Sequence, residues 1–338
     1  MSTLPLLRFI IAGQLRRNYV ITTQNKAMLD VPGGGLLYAA AGMAVWESGI
    51  GLIGRAGEDY PQDWLADMAR RGFDTRGIHV LPEAVDLRMF IAYPDSETKT
   101  TDNPVSHFAR LGMAFPKSLL GYIPPEPQID SRNQSGLLTI RQNDFPPDYL
   151  DATAAHLCPL DYLSHTLLPS VLRRGHITSI TLDPGTNYMN PIFWSEIPVL
   201  VNGLTAFMAS DEKVTSLFQG RSTDLWEIAE TLSSYGCEII VIKRGSRGQY
   251  LYNAASHERW IVPAYPVNVI DLTGAGDAFC GGFLASYRSD YDPLRATMAG
   301  NVSAAMTIEG AYPFYALDAL PGLAKARLEA LKETIRKV

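Results

Sequence analysis

The sequence has few cysteines, no metal-site spacing and no long apolar run. Its three cysteines, Cys158, Cys237 and Cys280, are far apart and odd in number, which is typical of reduced, buried thiols and not of a disulfide framework. The six histidines form no HExxH pattern, so a structural zinc or metalloprotease site is not expected. No apolar stretch approaches the roughly 18–20 residues of a membrane span.

An excess of positive charge is also missing. The chain has 29 Lys and Arg against 35 Asp and Glu, a net charge of −6, which argues against non-specific binding to nucleic acid or to an anionic membrane. The apolar run at residues 4–12 is short and follows no basic residue, so we interpret it as a buried first strand and not as a signal peptide. We therefore expect a cytoplasmic protein whose partners are small molecules.

What the sequence does contain is a large apolar fraction arranged in alternating segments. Of its 338 residues 46% are hydrophobic and 19% are charged, enough for a sizeable core. β-Branched runs that follow polar turns predict buried parallel strands, and apolar residues at helical spacing predict helices between them. This alternation favours a doubly wound α/β sheet. The predicted strands cover residues 8–12, 51–54, 177–182 and 238–242, and the predicted helices cover 36–46, 62–71, 225–235 and the amphipathic tail 323–338.

Three segments depart from simple alternation. Residues 16–28 and 87–93 are strand-like between turns, which predicts a small sheet outside the main one. Residues 94–147 are rich in Pro, Asn, Asp and Ser. A loop-rich stretch of that length inside a compact domain indicates either a lid or binding loop, or a surface insertion without a function.

The strongest chemical signal is the stretch from Asp271 to Phe283, which reads DLTGAGDAFCGGF. A glycine-rich turn runs there into an apolar helix, and the N–H groups at a helix N-terminus form a ready anion site. Asp277 in the same turn suits a base that takes a proton from a hydroxyl attacking a phosphate. The turn therefore indicates phosphoryl transfer. Its alternative is a plain strand-to-helix connection in which Asp277 caps the helix.

Residues 269–284 closely resemble the C-terminal signature of the PfkB/ribokinase family of carbohydrate and nucleoside kinases. The segments at residues 32–35 and 50–60 resemble the N-terminal signature of that family. Residues 239–248, IIVIKRGSRG, resemble the strand and glycine turn that line its nucleotide site. The resemblance runs in order from residue 8 to residue 312, with a poorly matched middle.

The resemblance implies a single ribokinase-like α/β domain over residues 1–338. This domain has a mostly parallel sheet, helices on both faces, and a small β lid built from about residues 14–30 and 84–115. It also implies transfer of the γ-phosphoryl group of ATP to a hydroxyl, with Mg²⁺. Asp277 would accept the proton, and the N–H groups of Gly274, Ala275 and Gly276 would hold the developing negative charge. The lid of the family often makes dimer contacts, so a homodimer stays an open alternative.

Further nucleotide-site positions follow from the same resemblance. Lys243 stands where the family often has threonine, and it either reaches the phosphates or is a solvated charge at a strand end. Asn301 falls where adenine is contacted, or else is an exposed helix residue. Thr273, with Asp271, matches positions that in some members bind a monovalent cation such as K⁺, or else caps the turn locally. The glycines implied at the nucleotide site are Gly245, Gly248 and Gly310.

The sequence departs from the family pattern at the acceptor and metal ends. Asn18 stands in place of an aspartate that binds substrate hydroxyls, and a neutral amide holds a hydroxyl more weakly than a carboxylate does. Tyr38 stands where an asparagine follows the glycine pair Gly34 and Gly35. It would stack on a substrate ring, fill the pocket, or pack in the core.

The Asn-x-x-Glu element that organises Mg²⁺ should fall near residues 209–213. The chain reads ASDEK there, so Asp211 and Glu212 are only weak metal candidates. Because the catalytic turn is intact, the sequence favours an ATP-dependent kinase that uses Asn18, Gly34, Gly35 and Tyr38 for an acceptor other than standard ribose or fructose. A nucleotide- or metabolite-binding protein without phosphotransfer and a purely structural α/β module are the alternatives.

Overall fold

A computed structural model describes residues 6–96, 98–125 and 128–338. In chain order, the strands of these residues are β1 (Phe9–Ala12), β2 (Arg16–Ile21), β3 (Ala27–Gly33), β4 (Ile50–Ala56), β5 (Asp74–Val80), β6 (Arg88–Ala92), β7 (Ala154–Leu157), β8 (Ser179–Leu182), β9 (Ala206–Ser210), β10 (Ile239–Lys243), β11 (Gln249–Asn253), β12 (Glu258–Val262) and β13 (Arg336–Lys337). The α-helices are α1 (Gly35–Ala44), α2 (Gln62–Arg70), α3 (Pro104–Arg110), α4 (Tyr162–Leu172), α5 (Ile197–Val201), α6 (Asp211–Leu217), α7 (Leu225–Ser234), α8 (Ala275–Asp290), α9 (Pro293–Ile308) and α10 (Leu323–Lys332).

Ten of the strands form one sheet in the order β13-β12-β11-β10-β9-β8-β7-β1-β4-β5. The neighbours from β10 to β5 run parallel, and β11, β12 and β13 add an antiparallel edge. The parallel strands are almost wholly buried because helices cover both of their faces. The predicted doubly wound, mostly parallel α/β class is therefore confirmed.

The side chains of β1 show how the two faces of the sheet divide. Ile10 and Ala12 belong to a core that also holds apolar residues of α4, α5, α6 and α7. Phe9 and Ile11 point the other way, into a core shared with α1, α2 and α8. This alternation follows from the two-residue period of a strand, and it requires that every position of β1 be apolar.

A second sheet has three strands in the order β3-β2-β6. Strand β2 pairs antiparallel with β3 and parallel with β6, and we call these three strands the lid sheet. Phe108 of α3 packs against its outer face together with Tyr19 and Phe90. The loop-rich stretch 94–147 therefore contributes the helix α3 to the core of the lid sheet.

The C-terminal tail differs from its prediction. Helix α10 ends at Lys332 instead of continuing to residue 338. Arg336 and Lys337 then pair antiparallel with Ile261 and Trp260 of β12. Without this pairing β12 would be the open edge of the sheet. The backbone N–H and C=O groups of an edge strand are unpaired and readily form hydrogen bonds with a neighbouring chain segment. This pairing outweighs the amphipathic pattern that predicted a helix up to residue 338. No helix within the described part of the chain is long and apolar enough to span a membrane.

Helices α1 and α8 approach each other closely enough for their backbones to touch. A Cβ atom added at Gly281 of α8 would overlap the carbonyl oxygen of Ala39. One added at Gly42 of α1 would overlap the carbonyl oxygen of Ala278. The two glycines thus set the distance between the helices, and that distance positions the first turn of α8 beside the start of α1.

We predict that Gly281→Ala lowers the free energy of unfolding by at least about 2 kcal/mol, measured by urea denaturation. Alanine favours a helix by about 1 kcal/mol over glycine, but overlap with a packed backbone costs more. Gly136→Ala is the control, because its Cβ would meet only the Thr139 hydroxyl at 3.8 Å; we expect a change within about 0.5 kcal/mol. Equal stability of both variants would contradict the close helix contact.

Candidate active site

A cleft of about 340 Å³ opens between the lid sheet and the N-terminus of α8. It lies beyond the carboxyl ends of the parallel strands, where open α/β sheets bind their ligands. One side consists of Arg16, Asn18, Met89, Ile91, Tyr93 and Lys99, and the other of Gly34, Gly35, Tyr38, Leu272, Thr273, Gly274, Ala275, Gly276 and Asp277. The structure therefore brings the predicted acceptor residues and the predicted catalytic turn into one cleft.

The first turn of α8 leaves backbone donors open to this cleft. Gly274 precedes the helix with a φ of 77°, and no side chain caps the helix. A Cβ atom at Gly274 would also overlap the ring of Tyr38, so only glycine fits both the conformation and the space. The N–H of Ala275 makes a 3.3 Å hydrogen bond to Leu272. The remaining N–H groups of the turn have no partner within the helix and can receive an anion.

Asp277 stands in that first turn, half-buried against the start of α1. A Cβ atom at Gly35 would come within 2.8 Å of its Oδ1, so a larger residue at position 35 would displace the carboxylate. Removal from water, reinforced by the Asp183 carboxylate and opposed by nearby lysines, raises the pKa of Asp277 to about 6. A carboxyl group with that pKa is a stronger base than an ordinary aspartate and is still ionised at neutral pH.

The start of α1 adds a second helix N-terminus to the same cleft. Gly34 precedes α1 with a φ of 98°, and no side chain caps this helix either. Two helix N-termini without a side-chain cap and the side chains of Arg16 and Lys99 therefore line one cavity. Since helix N-termini carry partial positive charge, the cleft attracts negatively charged ligands.

Asn18 and Tyr38 form the back wall of the cleft. Asn18 is 2% exposed and Tyr38 is 3% exposed. Burial, with the nearby Asp271 carboxylate, raises the pKa of Tyr38 well above its ordinary value, so its hydroxyl keeps its proton. Because the ring also packs on Gly274, Tyr38 combines two of its predicted alternatives: it fills the pocket and packs in the core.

The lid sheet is attached by hydrogen bonds to the segment that leads into α8. The hydroxyls of Tyr93 and Thr273 lie 3.0 Å apart. Thr23, in the turn between β2 and β3, donates its hydroxyl towards the carbonyl oxygens of Val269 and Ile270 at 2.9 and 3.0 Å. These contacts hold the lid strands over the segment that leads into α8.

Two lysines converge on a buried aspartate beneath the turn. The Lys213 and Lys243 ammonium groups lie 2.8 and 2.5 Å from the Asp183 carboxylate. Burial alone would raise the pKa of Asp183, but the two lysines outweigh it and lower that pKa to about 2. The Lys243 Nζ is also 3.4 Å from the carbonyl oxygen of Gly276. The alternative that Lys243 is a solvated strand-end charge is therefore wrong. Its ammonium group lies directly under the first turn of α8.

Sequence reasoning missed Asp183 and Lys213, as well as Arg16 and Lys99 in the cleft. Asp183 directly follows β8 and Lys243 ends β10. Because carboxyl ends of parallel strands share one edge of the sheet, that position could have marked Asp183 as a site residue. Nothing comparable marks Lys99, which lies in the loop after β6.

The weak metal candidates do not fit a protein-held Mg²⁺. The Asp211 carboxylate pairs with Arg247 and accepts the N–H of Glu212, and Glu212 is exposed. The residue that follows them, Lys213, directs an ammonium group at the buried acid. Within residues 6–96, 98–125 and 128–338 no cluster of three His, Cys, Asp or Glu side chains could hold a metal.

The predicted adenine contact by Asn301 needs correction. Asn301 is buried, its amide donates to Gln249 and to the carbonyl of Pro263, and its Oδ1 accepts the N–H of Tyr265. The side chain therefore braces the segment after β12 and has no free group for a base. The alternative of an exposed helix residue is equally wrong.

The remaining nucleotide-site positions divide between packing and open surface. A Cβ atom at Gly310 would overlap the ring of Tyr315, and one at Gly248 would overlap the carbonyl of Val262. Gly245 faces open space and can be approached by a ligand. The N–H of Thr273 donates a 2.9 Å hydrogen bond to the Asp271 carboxylate. This bond favours local capping of the turn over a cation site.

We predict that Lys243→Met lowers the free energy of unfolding by about 3 kcal/mol, because it leaves Asp183 with one buried partner. Chemical denaturation measures the change. The double variant Asp183→Asn with Lys243→Met should lose less free energy of unfolding than Lys243→Met alone, because it leaves no buried carboxylate short of a partner. Lys332→Met is the matched control, since its pair with Glu329 is exposed and such pairs contribute under about 1 kcal/mol. Equal losses at positions 243 and 332 would contradict a buried charge network.

Known proteins resemble this chain in sequence and in fold. Residues 188–317 match the model of the pfkB family carbohydrate kinases. A cytidine kinase of Thermococcus kodakarensis is 25% identical over 284 residues, 83% of this chain and 89% of that protein. An ATP-dependent ribose-1-phosphate kinase of Halopiger xanaduensis is 24% identical over 303 residues, 88% of each chain.

Solved structures extend the likeness over nearly the whole length. A fructokinase double mutant from Vibrio cholerae, bound to fructose, ADP and a potassium ion, has a TM-score of 0.68. It is 17% identical and the match covers 97% of this chain and 100% of that one. At that identity the likeness shows the fold alone. Together with the sequence matches, it confirms the resemblance that the signature segments predicted.

Proposed function

We propose that this chain, a member of the PfkB/ribokinase family, is an ATP-dependent kinase for a hydroxyl of a sugar-like or nucleoside-like small molecule. The observation that carries the proposal is the placement of Asp277. This carboxylate stands in an uncapped helix turn and faces a cleft with space for an acceptor. The same turn thus offers a base for the hydroxyl and donors for the transferred phosphoryl group.

Asp277 would act as the general base. With a pKa raised to about 6 by burial and by Asp183, its carboxylate is ionised at pH 7 and takes the proton of the attacking hydroxyl. The hydroxyl oxygen then bonds to the γ-phosphorus as the bond to the ADP oxygen breaks. The proton ends on the Asp277 carboxylate, and the negative charge leaves with ADP.

The backbone of the turn would stabilise the charge that develops on the phosphoryl oxygens. The N–H groups of Gly274 and Gly276 and the dipole of α8 act without reorganisation, since the helix fixes them in advance. Ala275 would contribute by exchanging its 3.3 Å bond to Leu272 for one to the phosphate. Lys243, below Gly276, adds positive charge at the same place.

ATP would bind along the carboxyl ends of β9 and β10, with Gly245 as its open backbone contact. Because the carboxylates at positions 211 and 212 do not fit a metal, we propose MgATP as the nucleotide substrate, with the ion held by the phosphates. The ammonium groups of Lys213 and Lys243 supply fixed positive charge from the protein side.

One observation favours a second candidate, a nucleotide-binding protein without phosphotransfer: among the described residues no cluster of three His, Cys, Asp or Glu side chains could hold a metal. Titration calorimetry with ATP and a coupled assay for ADP release separate the two candidates. Nucleotide binding without ADP release from any sugar or nucleoside would favour the second. Acceptor-dependent ADP release would favour the kinase.

We predict that Asp277→Asn lowers kcat by about 10²- to 10⁴-fold, the range expected for loss of a general base. ATP affinity, measured by calorimetry, should change little because the backbone donors remain. Asp290→Asn is the matched control at the other end of the same helix, where the carboxylate pairs with Arg295 on the surface, and it should retain full activity. Wild-type turnover by the position 277 variant would refute the mechanism.

The pH dependence of kcat/KM should report the ionisation of Asp277. A base must be deprotonated, so we expect kcat/KM to fall about tenfold per pH unit below about 6 and to level off above it. Initial rates measured from pH 4.5 to 8 in buffers of constant ionic strength give the profile. In the Asp277→Asn variant this acid limb should disappear. A flat wild-type profile between pH 5 and 7 would rule out a base with this pKa.

A further inference from the structure

We infer that the acceptor carries an oxyanion, a phosphate or a carboxylate, which the guanidinium of Arg16 binds in the cleft. This inference rests on the proposed kinase function and names the class of its acceptor. The residues that carry it are Arg16, its neighbour Arg17, and Asn18, all on β2. The hydroxyl of the acceptor would lie at Asp277 and its anionic group at Arg16.

Strand geometry directs Arg16 into the cleft and Arg17 away from it. Successive side chains of a strand point to opposite faces, so Arg16 and Asn18 share the face that lines the cavity. Met89, Ile91 and Tyr93 of the adjacent β6 segment line it with the same period. Arg17 instead forms two hydrogen bonds to the Asp30 carboxylate, at 2.9 and 2.7 Å. The lid sheet thus presents one of two consecutive arginines to a ligand.

Arg16 has no acidic partner among the described residues. Its one side-chain hydrogen bond runs from Nη2 to the Oε1 of Gln14 at 2.6 Å, and no ion pair includes it, whereas Arg17 and Arg88 each pair with an aspartate. A half-buried cation facing a neutral amide is costly unless another anion reaches it. Burial accordingly lowers the pKa of Arg16 despite the nearby Tyr122 and Asp86.

The charged side chains that line the cleft favour an anionic ligand. Among the described residues that line it, Arg16 and Lys99 are cations and Asp277 is the sole carboxylate, although the whole chain has a net charge of −6. At position 18 the wall carries a neutral amide, so no second carboxylate repels an anion there. The Nε and Nη1 donors of Arg16 are not engaged within the described residues. A guanidinium fork of this kind matches the two oxygens of a carboxylate or a phosphate.

Arg16 begins β2 of the lid sheet and Asp277 lies in the first turn of α8, so the two groups line opposite sides of the cleft. Lys99, Lys213 and Lys243 act on the carboxylate of Asp277. The titratable groups that act on Arg16 are Tyr122 and Asp86, next to the lid strands. An acceptor that bridges the cleft can therefore give its hydroxyl to the base without placing its oxyanion against that carboxylate.

The test compares Arg16→Gln with Arg17→Gln on matched acceptors. Ribose 1-phosphate is paired with ribose, and gluconate with glucose, and ADP release gives kcat and KM for each. For the wild type we expect turnover of an anionic member and a higher KM for its neutral partner. Arg16→Gln should raise KM for the anionic acceptor by about 10- to 100-fold and change the neutral one less than about threefold.

The control variant and the acceptor pairs separate the explanations. Arg17→Gln removes the same charge from the opposite face and should leave the ratio of anionic to neutral acceptor unchanged. Arg16→Lys should restore part of the preference for a phosphate, because it keeps the charge but loses the fork. A preference seen only in the ribose pair identifies a phosphate, and one seen only in the gluconate pair identifies a carboxylate.

Binding measurements keep the inference separate from the kinase proposal. Calorimetry with ribose 1-phosphate and with gluconate is run on Asp277→Asn and on the same variant with Arg16→Gln. If neither anion binds in an Arg16-dependent way, or if neutral acceptors turn over equally well, the inference is overturned while the kinase proposal stands. If binding depends on Arg16 and no acceptor releases ADP, the kinase proposal falls and the anion site remains.

Discussion

The contact between α1 and α8 is the constraint on which the cleft depends. Gly42 and Gly281 let the two helix backbones touch, and this fixes the start of α1 against the first turn of α8. The Asp277 carboxylate then lies beside Gly35, so close that a Cβ atom there would come within 2.8 Å of its Oδ1. Because packed interiors do not deform continuously, an acid held this way keeps its distance from the open N–H groups of its own helix. The proposed base and the proposed anion site are thus positioned by one packing contact.

The raised pKa of Asp277 also depends on the packing of α1 against α8. Removing Asp277 from water would by itself favour its neutral form, and the Asp183 carboxylate adds to that effect. Lys213 and Lys243 neutralise Asp183 and keep the local field from becoming strongly negative. The result is a carboxyl group with a pKa of about 6 beside the backbone donors that we propose for the phosphoryl group. A network of buried charges therefore tunes a residue that it does not touch.

The sequence predicted those features that depend on local pattern. The period of apolar residues predicted some of the helices and strands, among them β1, α1 and β10. The glycine turn with Asp277 was recognisable because the proposed anion site and the proposed base lie within a few residues of each other. Features that depend on distant contacts were not predictable in the same way. Asn301 was assigned to adenine, yet it braces the backbone after β12, and the tail after α10 was taken by a sheet edge that no local pattern reveals.

Which charged side chains form ion pairs was the hardest of these features to predict from the sequence. Arg16 and Arg17 are adjacent and chemically identical in the sequence, but the strand sends one to an aspartate and the other into the cleft. Only the face of β2 on which each lies distinguishes them, and that face depends on the pairing of β2 with β3 and β6. A lysine such as Lys213 likewise becomes informative only when its partner Asp183, 30 residues away, is known.

The hydrogen bond between Tyr93 and Thr273 has a consequence for how such a protein can change over time. The proposed acceptor contacts Arg16 and Asn18 lie on the lid strands, while the proposed base and its backbone donors lie on α8. On the proposed mechanism, new acceptor preferences can therefore arise by substitutions in β2 and β6 that leave the chemistry intact. Tyr93 is an exception to this independence, because its hydroxyl reaches the residue next to Gly274. Substitutions there would alter selectivity and turnover together, which makes position 93 a slow site for diversification.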